Sequence, residues 1–141
     1  MSVIPPASPL AARFRQAAWS FAATLVSCAA IYGLFNSLES LFGVTSFPVP
    51  ALTVVQVSLT VGLKIGAFVG IATLIWPNGI AAFLWALVPI LWEFTPDMIG
   101  LLGFRQISYD VITLELIEEI FLAGSTALTI KWVRGHFDYN K

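Results

Sequence analysis

The stretch Leu52–Trp76, LTVVQVSLTVGLKIGAFVGIATLIW, constrains this chain more than any other, because its 25 residues carry one charge, Lys64, at the centre. As a helix rising about 1.5 Å per residue it covers about 37 Å, enough to cross a hydrocarbon core of roughly 30 Å at a tilt. Gly62, Gly66 and Gly70 recur every fourth residue. They line one face, where missing side chains let another helix come close. Thr53, Gln56, Thr60 and Lys64 follow the same period on a different face. At about 100° per residue, Lys64 stands about 200° around from both Gly62 and Gly66. The pattern predicts a membrane helix with a packing face and, opposite it, a polar stripe ending in a buried cation.

Composition points the same way. Of 141 residues, 58% are hydrophobic and 11% charged, with mean hydropathy +0.88. A soluble domain carries about 25% charged residues. So few charges cannot clothe a water-soluble fold, which leaves the bilayer as solvent. A formal net charge of −1 argues against nucleic acid as a partner. Cys28 is the single cysteine and His136 the single histidine, which excludes an internal disulfide, a cysteine metal cluster and a multi-histidine site. No cofactor or metal is expected.

Taken in order, residues 1–12 are Pro-rich and expected to be irregular. They carry no base, and the apolar run after Arg15 exceeds a signal peptide's, so it reads as a retained first span, about 17–38. Ser20, Thr24, Ser27 and Cys28 share one face of it. The second span, about 52–76, ends at Trp76-Pro77-Asn78-Gly79, a tight-turn sequence. A third, about 80–94, therefore returns antiparallel; at about 22 Å it is short, and Pro89 is placed to bend it. Residues 97–110 suit an interfacial outer loop, and a fourth span covers about 111–132.

Charge sets the orientation. Five of the seven bases, Arg13, Arg15, Lys131, Arg134 and Lys141, flank the start of span one or the end of span four. The positive-inside rule then puts both termini in the cytoplasm, which four spans satisfy. The expected fold is a single all-α domain over residues 1–141, an integral membrane bundle of four transmembrane helices, N-in and C-in, in a bacterial cytoplasmic membrane.

Seven acids gather toward the outer side: Glu39, Glu93, Asp97, Asp110, Glu115, Glu118 and Glu119. Glu115, Glu118 and Glu119 share a helix face about 7, 12 and 13 Å below Asp110, and Lys64 lies about 18 Å below Leu52. An ionisable group at such depth faces the interior and finds a partner, here expected to be Glu118 or Glu119. Such a group is either a substrate or proton site open to the outside, or a salt bridge that fixes helix packing. Arg105 stands amid Glu93, Asp97 and Asp110, placed to pair with one of them or to hold an anionic head group. No phosphate loop, nucleophile elbow or metal-ligand spacing occurs, which makes a non-enzymatic role the expectation.

The order of these motifs resembles the VanZ-like family of small four-helix membrane proteins. Lys64-Ile65-Gly66-Ala67-Phe68 is similar to that family's Asp-Lys-x-x-His-Phe on the second span. Glu93 with Phe94 and Pro96 is similar to the glutamate ending its third, and Arg105 through Val111 to the Arg…Ser…Asp stretch before its fourth. Leu63 and Ala67 stand where that family has Asp and His. The resemblance implies a cell-envelope protein, from a family linked to glycopeptide resistance. Its outward pocket would comprise Lys64, Glu93, Arg105, Asp110, Glu118 and Glu119 and would hold an anionic lipid or envelope precursor. The rival expectation is an accessory transmembrane subunit of a larger, energy-transducing membrane complex, with protein partners as well as lipids.

Overall fold

The computed structural model describes residues 9–42, 50–76, 78–99 and 109–136. They form four helices: α1 (Pro9–Leu41), α2 (Ala51–Ile75), α3 (Gly79–Ile99) and α4 (Tyr109–His136). The protein is all-α. By length and composition α1 and α2 are able to cross a membrane, while the apolar part of α3, Gly79–Glu93, is shorter.

Local chemistry sets the boundaries. Pro50 sits just ahead of α2, where its missing N–H costs nothing, and its carbonyl accepts from Thr53 and Val54 at 2.9 and 3.2 Å. The residue before a proline is pushed out of helical geometry, and Trp76, before Pro77, is extended at φ −105° and ψ 122°. Asn78 then opens α3, its side-chain oxygen accepting from the Ile80 N–H at 2.9 Å. Inside the helices, Ser58, Thr60 and Thr73 each donate to the carbonyl four residues back, at 2.6, 2.8 and 2.7 Å. A hydroxyl bonded in this way asks nothing of its surroundings.

Each helix packs antiparallel against its neighbours in sequence, and α4 closes on α1, so the four form a ring. α2 and α4 lie across the ring from one another. The α1–α2 seam is built on the glycines. A Cβ on Gly62 would stand 2.5 Å from the Leu25 carbonyl oxygen, and one on Gly66 2.9 Å from that of Phe21. On Gly70 it would meet the Phe21 Cβ at 3.2 Å. Backbone therefore lies on backbone over two turns, which settles α1 as the element the glycine face serves.

The α1–α4 seam uses small polar groups. Ser20, Thr24, Cys28 and Thr126 are buried, with Cys28 Sγ 3.6 Å from Thr126 Oγ1. Phe35 and Phe121 close the seam above them, ring centroids 5.7 Å apart. Ile65, Val69 and Ala72 of α2, Ala82, Ala86 and Ile90 of α3, and Leu122 and Ile130 of α4 fill the centre.

Three boundaries differ from the sequence reading. Residues 9–12, expected to be irregular, are the first turn of α1. The third helix does not stop near 94 but continues to Ile99 through both Pro89 and Pro96, so its 21 residues span about 31 Å. The charge of Glu93 within this helix is met by an ion pair. Thr95, one turn on, bonds back to the Leu91 carbonyl at 2.8 Å. The fourth helix likewise begins at Tyr109. Of the loop expected over 97–110, both ends are thus helical, and 100–108 lie outside the described residues.

Candidate functional site

Lys64 meets Glu93. Their Nζ and Oε1 atoms are 2.7 Å apart, joining the middle of α2 to the upper part of α3. The expected partner was Glu118 or Glu119 of α4. The ring sets α4 diagonally across from α2, whereas α3 is adjacent. The expectation of a buried cation is also corrected: the Lys64 side chain is 52% exposed and that of Glu93 26%. Thr53, Gln56 and Thr60, which share the stripe, are exposed as well. The polar stripe of α2 is an outer flank of the bundle.

The glutamates converge elsewhere. A polar cavity of about 80 Å³ is lined by Glu93 of α3, by Glu115, Glu118 and Glu119 of α4, and by Tyr32, Asn36 and Glu39 of α1. Glu118 is the most enclosed, at 5% exposure. Glu115, Glu118 and Glu119 thus line one cavity from the same helix. Five carboxylates from three helices therefore line one small chamber, and the ammonium of Lys64 reaches it through Glu93. Among the described residues, no three acids, cysteines or histidines are arranged to hold a metal ion. A cleft lined by one sign of charge focuses its field and concentrates ligands of the opposite sign.

Tyr32, Asn36 and Glu39 were not anticipated. Their spacing of four and three residues continues the face of Cys28 up α1, so helical period alone was able to align them with the buried hydroxyls below. Asn36 Nδ2 donates to the Tyr32 carbonyl at 3.0 Å, which ties this face together. Of the other expected residues, Asp110 stands in the first turn of α4, and Arg105 lies outside the described residues.

At the opposite end of the bundle, Arg134 of α4 donates through Nη2 to the Trp76 carbonyl at 3.1 Å, capping the end of α2. Trp76 stacks on Trp85 of α3 with centroids 5.1 Å apart.

No protein-family model, curated protein or solved structure matches this chain.

Proposed function

We propose that the chain is an integral membrane bundle of four spans, N-in and C-in. Its outer half holds a carboxylate chamber that binds an ammonium group, such as the amine of a lipid head group or envelope precursor. The observation that carries this reading is the convergence of five glutamates on one cavity at one end of the helices. The ammonium ligand differs from the anion expected from sequence, because carboxylates line the chamber on each of the three helices that reach it.

The membrane reading is supported by how the side chains are distributed. The interior includes small and polar side chains beside its aliphatic core, among them Ser20, Thr24, Cys28, Ala82, Ala86 and Thr126. The outside is large and apolar: Leu84, Leu91, Ile120 and Leu128 are all more than half exposed, and Trp85 and Trp92 also face outward. Such a surface would aggregate in water but matches lipid chains. The VanZ-like reading is supported by the 2.7 Å contact between Lys64 and Glu93, which unites two of the motifs that carry the resemblance.

Ethanolamine is a suitable probe. It should raise the melting temperature of the protein in detergent, while equimolar glycerol should not, and Glu118→Gln/Glu119→Gln should remove the rise. An equal rise with glycerol, or an unchanged rise in the variant, would contradict the chamber's role.

The accessory-subunit reading rests on one observation of its own. An ion pair half exposed at mid-helix faces lipid unless a partner helix covers it, and lipid is a costly neighbour for charge. Extraction in mild detergent followed by native mass measurement tests this. Stoichiometric partners would favour it, and a lone chain would exclude it.

A further inference from the structure

A second cavity lies at the far end of the bundle from the glutamates, between the start of α3 and the end of α4. It is larger, about 400 Å³, and its walls are apolar: Ile80 and Phe83 on one side, Ala127 and Ile130 on the other. Its rim carries Lys131 and Arg134, and no acid is among the described residues that line it. Three features place positive potential there. Lys131 is exposed at the mouth. The Arg134 guanidinium is held in place by its bond to the Trp76 carbonyl, with its Cδ packed where a Gly79 Cβ would come within 3.2 Å. The first turn of α3, capped by Asn78, adds the positive end of the helix dipole.

From this combination we infer that the groove between α3 and α4 is a binding site for one anionic phospholipid. An acyl chain lies along Ile80, Phe83 and Ile130, and the phosphodiester lies between Lys131 and Arg134. The inference rests on the membrane reading above, which sets this end at the cytoplasmic surface. There the groove opens toward chains on one side and toward head groups on the other. A water-soluble anion would use the rim but leave the apolar walls unfilled. A zwitterionic lipid would fill the walls but gain little from two cations, each worth about 1 kcal/mol toward an anionic head group at a membrane surface. Basic pockets between helices on the cytoplasmic side suit this chemistry. The bond from Arg134 to α2 also means that a lipid seated here touches the junction of three helices, so its occupancy should stabilise the bundle as a whole.

The test uses the full chain, delipidated in detergent and titrated with phosphatidylglycerol or phosphatidylcholine under native mass spectrometry. One phosphatidylglycerol should be retained about thirtyfold more tightly than phosphatidylcholine, as expected for two cations. Lys131→Gln removes an exposed side chain and should cost about fivefold in phosphatidylglycerol affinity alone. Ala127→Phe fills the groove and should expel both lipids while the melting temperature shows the protein still folded. Equal retention of the two lipids, or an unchanged preference in K131Q, would overturn the site. Displacement of the lipid by millimolar inorganic phosphate, or an A127F variant that binds as before, would assign the rim to a soluble anion and overturn the lipid. Carbonate washing of membranes separates the two levels. Release of the chain would remove the membrane reading itself, whereas retention without lipid preference removes the groove alone.

Discussion

At the scale of single residues the account turns on Lys64 and Glu93. A lone lysine or acidic residue at the centre of a membrane helix costs about 2.5–3.5 kcal/mol on insertion scales, so each member of the pair answers a cost that the other would otherwise incur. Lys64→Met alone, and Glu93→Gln alone, should each lower thermal stability in detergent, and the double variant should recover much of the loss. The coupling expected for touching charges is about 0.5–3 kcal/mol, measured as the departure from additivity in a double-mutant cycle. Additive losses would show that the 2.7 Å contact is not maintained. Both residues stood out in the sequence, one as a mid-helix cation and the other as an acid at a helix end. Their pairing did not, because rise per residue reports depth but says nothing of which helix lies beside which. That information is held in the ring order of the bundle.

At the scale of elements, the glycine face of α2 is the most legible feature and also the most testable. Its spacing of four residues marked a packing surface, and α1 fills it so closely that a single added carbon has nowhere to go. Gly62→Ala puts a Cβ 2.5 Å from the Leu25 carbonyl oxygen, so the helices must part, at a cost of about 1–3 kcal/mol for overpacking. Gly124, in the middle of α4, is the internal control, since a Cβ there meets nothing within 4 Å among the described residues. Gly124→Ala should therefore be neutral or stabilising by about 0.5–1 kcal/mol, through helix propensity alone. Thermal melts of the two variants in one detergent decide the matter, and equal losses would mean that the α1–α2 approach is looser than described. The upper end of α3 was less legible. The mix of apolar and charged groups from Asp97 on reads as a loop, since sequence shows the charges but not the partners that meet them. The convergence of Asn36 and Glu39 with the α4 glutamates was not legible for a related reason, since it depends on α4 packing beside α1.

At the scale of the whole molecule, the two ends of the bundle carry opposite chemistry. One end holds five glutamates about a small chamber, and the other carries Lys131 and Arg134 about a wider, apolar groove. That polarity has a function only if the helices cross a bilayer with the termini on the basic side, which makes orientation the central claim. Cysteine accessibility in a Cys28→Ser background measures it directly. With single Ser2→Cys or Asn140→Cys substitutions, an impermeant thiol reagent should react only after the membrane is opened. With Ser46→Cys or Gly103→Cys, it should react in intact cells. Labelling of positions 2 and 140 from opposite sides, or protection of 103 in intact cells, would contradict the four-span arrangement and, with it, the outward-facing chamber.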